Sequence, residues 1–249
     1  MNNILHTLKL EWKLIWSRRS VVFYLLACLL AFTGTTLLME QVIVGAEKGW
    51  VADVQRNLWI RNWILPLGYV WMGVQSFVED REQGFIAESI VSGTHRGAIL
   101  LSKMGSLLGI SILSLLLAVY PIFFYPSSAQ QMDTLIGLPL TLLSDIVLIG
   151  WVALFGLTKS STNGIMLRMT LLIGFDFMGR MMLWIGPNIF SSPLLDWLSA
   201  NIPLLLPSTA FNCWMFWEDA WGIETLLVTV FYGMLIWGTV HFKWKSTIF

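Results

Sequence analysis

The stretch Met104-Gly-Ser-Leu-Leu-Gly-Ile-Ser-Ile-Leu-Ser-Leu-Leu-Leu-Ala-Val-Tyr-Pro-Ile-Phe-Phe-Tyr125 holds no charged side chain. About 20 apolar residues in a helix cross the hydrocarbon of a bilayer, so this run predicts a membrane span. The composition around it agrees. The chain of 249 residues is 56% hydrophobic and only 12% charged, against about 25% charged in soluble domains. A soluble fold of this size has too little interior to hide that much apolar surface, so lipid is the expected solvent.

Further runs of the same kind lie on both sides: Val21–Met39, Leu58–Val78, Leu135–Leu157, Ile165–Gly186 and Ile223–Phe242. The fold predicted is an all-α membrane protein of six transmembrane helices. Arg61, near one end of the second run, is expected to snorkel to the interface. Between spans five and six, residues 187–221 carry apolar pieces broken by Pro193, Pro203 and Pro207. These pieces suit re-entrant or interfacial helices on the outer side. Residues 1–19 place apolar side chains at 4, 5, 8, 12, 15 and 16 on one helical face, with Lys9 and Lys13 off it. They predict an interfacial helix whose cations lie near lipid head groups. With no composition break or repeat, residues 1–249 read as a single transmembrane domain.

Lys and Arg set the orientation. With the N-terminus inside, the cytoplasmic side holds Lys9, Lys13, Arg18, Arg19, Arg81, Arg96, Lys103, Lys159, Arg168, Lys243 and Lys245. The outer side keeps Lys48, Arg56 and Arg61. Eleven against three places both termini in the cytoplasm. No secretory leader is expected ahead of Val21, because a long polar and aromatic segment precedes the first apolar run. A net charge of zero gives no field directed at nucleic acid. Cys28 and Cys213 sit among apolar residues as small hydrophobes.

The connection ahead of the quoted span is unusual: Phe77-Val-Glu-Asp-Arg-Glu-Gln-Gly-Phe-Ile-Ala-Glu-Ser-Ile-Val-Ser-Gly-Thr-His-Arg-Gly-Ala-Ile-Leu-Leu-Ser-Lys103. Charges crowd Glu79–Glu82, and Gly84 follows. An amphipathic turn then carries Phe85, Ile86, Ser89 and Ile90, with a break at Ser92-Gly93. Arg96 comes next, and Lys103 opens the third span. A short helix with an apolar face and a charged rim is predicted on the cytoplasmic side, where a soluble partner has a handle on two spans.

At these residues the chain resembles the integral-membrane permease subunits of type 2 ABC exporters. In that family an acidic–Arg–Glu–x–Gly cluster ends the second span, then come a coupling helix, a Pro-x-x-Arg turn and a Lys opening the third. Asp80-Arg81-Glu82-Gln83-Gly84, Arg96 and Ile99–Lys103 match these elements, with Gly93 where the family has Pro. The interfacial N-terminal helix, the six spans and the broken segment before the last also match. The resemblance implies a coupling loop over 79–103, with Glu79, Asp80, Arg81, Glu82, Gly84, Phe85, Glu88, Arg96 and Lys103 serving ATPase coupling. It implies a cytoplasmic ABC ATPase partner holding ATP and Mg, and a second permease copy or homologue as a homo- or heterodimer. The setting is a bacterial or archaeal plasma membrane, and the activity is outward movement of a peptide, lipid or drug-like substrate.

No enzymatic activity is expected of this chain itself. It has no G-x-x-x-x-G-K-[ST] loop. Gly156-Leu-Thr-Lys159-Ser160 resembles the tail of one, but Thr158 stands where the second glycine must be. His6, His95 and His241 form no i, i+4 pair for a metal. No apolar run supplies a His or Lys base beside a serine nucleophile. Charges inside the apolar runs are the remaining candidates: Asp145 in span four, Asp176 and Arg180 in span five. Asp176 and Arg180 share a helix face, and Asp145 is expected to share Arg180 if the spans are neighbours. The set reads as a helix-packing lock, or as a translocation lining or latch. Two further functions stay open: a secondary transporter driven through Asp145 and Asp176, and a permease-like immunity or signalling subunit without net transport.

Overall fold

The computed structural model describes residues 2–41, 50–120, 131–158, 162–171 and 223–246, with isolated positions at 174, 193–194 and 197. Among these every regular element is helical and none is a strand. Helix α1 spans Asn2–Ser17 and α2 spans Arg19–Gln41. Helix α3, Trp50–Gly73, continues as a π-helical segment over Val74–Glu79 and a single turn α4, Asp80–Glu82. Next come α5 (Phe85–Val91), α6 (Arg96–Ala118), α7 (Gln131–Gly156), a helical stretch α8 over 162–171, and α9 (Ile223–Ser246). Asp176 and Arg180 lie outside the described residues, as does the segment 187–221 of the re-entrant reading apart from positions 193–194 and 197.

Helix α6 is the one described helix that is long and apolar enough by itself to cross a membrane. Residues Leu5–Ser17 and Arg19–Thr35 pass the same test only together, and they meet at a bend of 68°. The bend falls at Arg18, whose amide bonds back to the Ile15 carbonyl at 3.0 Å while its own carbonyl accepts from Val21 at 3.2 Å. Helix α6 starts eight residues before the apolar run that predicted it. Lys103 therefore lies two turns inside the helix and not at its mouth. His95 caps the start, its Nδ1 accepting from the Gly97 amide at 3.1 Å.

Packing is organised around α6, which touches α1, α2, α3 and α7, while α7 also carries α9. Close approach depends on glycines. A Cβ on Gly109 would fall 2.2 Å from the Trp12 ring, and one on Gly73 would fall 1.8 Å from Val152. One on Gly150 would meet Ile236 at 2.7 Å. Small residues at helix crossings of this kind let backbones approach where apolar surroundings give little other drive for association. Helix α7 runs unbroken through Pro139.

Candidate functional site: two buried ionic groups and an exposed knuckle

The π-helical segment adds backbone between α3 and α4, which turns the residues after it relative to those before. Asp80 emerges pointing into the protein, 5% exposed. Its Oδ1 accepts from Arg18 Nη2 at 2.7 Å and its Oδ2 from Lys103 Nζ at 2.6 Å. Lys103 also faces Glu11 Oε1 at 3.1 Å. Two carboxylates and two cations thus join α1, the α1–α2 bend, α4 and α6 in one neutral group. Just beside it, Ser20 Oγ donates to Gln75 Oε1 at 2.6 Å and ties α2 to the π-helical segment. Buried pairs hold only when each partner is present, because a lone buried charge lacks both water and counter-charge.

The loop between Asp80 and Lys103 therefore divides into a root and a tip. In the root, Asp80 and Lys103 are buried. Arg81 Nη1 donates to the carbonyls of Gly156 (3.2 Å) and Thr158 (2.6 Å), placing a cation on the end of α7 where unpaired carbonyls concentrate negative potential. The Arg96 carbonyl accepts from Trp244 Nε1 at 2.9 Å and holds α9 against the start of α6. In the tip, Glu82 and Glu88 are exposed, Phe85 is 51% exposed and Val91 87% exposed, while Ile86 is buried in the core and Ile90 packs against it half-buried. Glu79 is half-buried between the two.

Both ends of α5 are set by glycines at left-handed backbone angles. Gly84 has φ +79° and Gly93 φ +90°. After Val91 the Gly93 amide bonds to the Ile90 carbonyl (3.0 Å) and the Thr94 amide to the Ser89 carbonyl (3.0 Å). This is the Schellman pattern, in which a glycine terminates the helix without the Cβ clash. Gly93 thus supplies the helix stop that the sequence places there.

A second ionic group lies further along α6. Lys103 and Ser111 are separated by eight residues, or about 12 Å at 1.5 Å per residue. Arg61 does not snorkel. It is 0% exposed, and its Nη2 donates to Asp145 Oδ2 at 2.6 Å. The same Nη2 donates to Ser111 Oγ at 2.9 Å, and Nε donates to Ser114 Oγ at 3.0 Å. Ser111 Oγ donates in turn to Asp145 Oδ2. Asp145 thus has Arg61 of α3 as its partner. The planar guanidinium fork matches the carboxylate and hydroxyl acceptors that α7 and α6 bring to it. One turn away, Asn57 Nδ2 donates to the Ala118 carbonyl at 3.1 Å.

Arg61 is read from sequence as an interfacial cation and Arg18 only as an inward charge, not as partners of Asp145 and Asp80, and Glu11, Ser111 and Ser114 are not singled out as site residues. Glu11 carried a readable signal, since it lies on the helical face of Leu8 and Ile15, and a charge in a packed face needs a partner. Ser111 and Ser114 differ from neighbouring serines only by what α3 and α7 bring to them. No protein-family model matches the chain, and no curated protein sequence matches it.

Proposed function

We propose that the chain is the membrane permease subunit of an ATP-driven exporter, with six spans and both termini in the cytoplasm. The observation that carries the reading is the division of the 79–103 segment. Its tip offers Phe85 and Val91 beside Glu82 and Glu88 to a partner, while its root is bonded to α1, to the α1–α2 bend, to the end of α7 and to α9. A connector with no mechanical role has no reason to be tied to three other helices and a bend. In this reading a cytoplasmic ABC ATPase, which holds ATP and Mg, grips the tip. Its closure displaces α5, and the root passes that displacement to the spans. A second permease copy or a homologue completes the pathway for a peptide, lipid or drug-like substrate. The motor shifts the equilibrium only insofar as its ATP-bound form prefers one arrangement of the root.

The test separates tip from root. A Phe85→Ala, Glu82→Ala, Glu88→Ala variant is expected to lose capture of the ATPase while remaining folded, since these side chains are exposed. Arg81→Ala is expected to keep capture and lose the change in ATP turnover on binding. If the tip variant captures the ATPase as well as wild type, the segment is not the docking element and the reading fails.

A further inference from the structure

Helix α1 contains one acid, Glu11, and the fold spends it inward on Lys103. Leu8 packs on Gly105 and Trp12 on Gly109, so the inward face lies against α6. What α1 leaves outward is cationic and apolar together. His6, Lys9 and Lys13 are exposed, as is Arg19 just past the bend. Leu5 flanks the lysines on one side, Leu10 and Leu14 on the other, all exposed. A soluble acidic partner would match the lysines but leave the leucines without a use. A leaflet with anionic head groups matches both, because leucine enters the acyl boundary while lysine stays at the phosphates.

The same helix is wired to the 79–103 segment. Glu11 holds Lys103, and Arg18, at the bend that ends α1, holds Asp80. Any tilt of α1 changes the distances in that group, and α4 and α6 must follow or lose buried partners. We propose that the outward strip of α1 binds anionic lipid head groups and that Glu11 and Arg18 carry its occupancy to the coupling segment. Lipid composition thereby sets the position of α5. The proposal rests on the membrane reading above but needs no ATPase.

The experiment uses the full chain in nanodiscs of phosphatidylcholine with or without phosphatidylglycerol. A spin label is placed at Val91→Cys in a Cys28→Ala, Cys213→Ala background. Phosphatidylglycerol is expected to shift the label spectrum and to be retained on purification. Lys9→Gln with Lys13→Gln is expected to weaken retention roughly thirtyfold, from the contribution of two surface lysines, and to abolish the shift. Glu11→Gln is expected to retain the lipid and lose the shift. Arg18→Gln serves as the second cut in the wire should Glu11→Gln not fold. Unchanged retention in the lysine variant overturns the lipid site. A full shift in both wire variants overturns the transmission. Retention of an acidic soluble protein in place of phosphatidylglycerol overturns the choice of partner. Because no ATPase is present, failure of docking at the tip leaves these outcomes unchanged.

Discussion

Arg61 has all of its side chain removed from solvent, and so nearly has Asp145. Each depends on the other and on Ser111 and Ser114 for hydrogen bonds. Removing one partner strands the other, at a cost of about 3–5 kcal/mol, whereas replacing the pair with apolar residues of similar volume is close to neutral. Arg61→Leu is therefore expected to lower the denaturation midpoint sharply, and Arg61→Leu with Asp145→Leu to recover most of it. A double variant as unstable as the single one would show that the serines, not the ion pair, hold the group. The glycines make a second contrast. Gly109→Ala drives a Cβ into the Trp12 ring and is expected to cost about 1–3 kcal/mol, relieved by Trp12→Leu. Gly34 has nothing within 4 Å of an added Cβ, so Gly34→Ala is expected to stabilise by about 0.5–1 kcal/mol. Thermal unfolding in one detergent compares them. Asp145 was legible in the sequence as a charge needing a partner. Its partner was not, because Arg61 lies 84 positions away and only the approach of α3 to α7, set by Gly73 against Val152, brings them together.

At the scale of elements, α5 is the piece whose limits local chemistry fixed most completely. Gly84 and Gly93 punctuate it, and both adopt the left-handed angles that side chains with a Cβ resist at about 1 kcal/mol or more. Gly93→Ala is expected to fray the last turn of α5, read as faster hydrogen exchange at the Ser92, Gly93 and Thr94 positions with α6 unchanged. Exchange that stays at the wild-type rate would mean the stop is imposed by packing of Ile86, not by the glycine. The π-helical segment was not legible in the same way. Nothing in Val74-Gln-Ser-Phe-Val-Glu79 announces an altered period. It is retained here while Asp80 has Arg18 and Lys103 to face and Gln75 has Ser20. The start of α6 was also misplaced by hydropathy alone. Arg96 to Lys103 is polar enough to read as loop, yet its buried side, Ala98, Ile99, Leu100 and Lys103, packs as helix.

For the whole molecule the decisive quantity is the number of crossings. All-helical architecture and the crossing potential of α6 follow from the described residues; six spans with both termini inside are the proposal. The two cases place the chain differently. With six spans, four crossings separate Val91 from Lys245, an even number, so both sites face the cytoplasm. If α6 alone crossed, Val91 and Lys245 would lie on opposite sides. Both side chains are exposed, which makes single cysteines there reactive without unfolding the protein. In a Cys28→Ala, Cys213→Ala background, a membrane-impermeant maleimide is expected to label Val91→Cys and Lys245→Cys in inside-out vesicles and to miss both in right-side-out vesicles. Lys48→Cys, assigned outward by the asymmetry of Lys and Arg, is expected to show the reverse pattern. Opposite sidedness of Val91 and Lys245 would remove the six-span topology, and with it the mechanical route from α5 to a pathway across the bilayer. Equal sidedness with Lys48 opposed leaves the segment 79–103 facing the compartment that contains ATP, where a cytoplasmic motor can reach it.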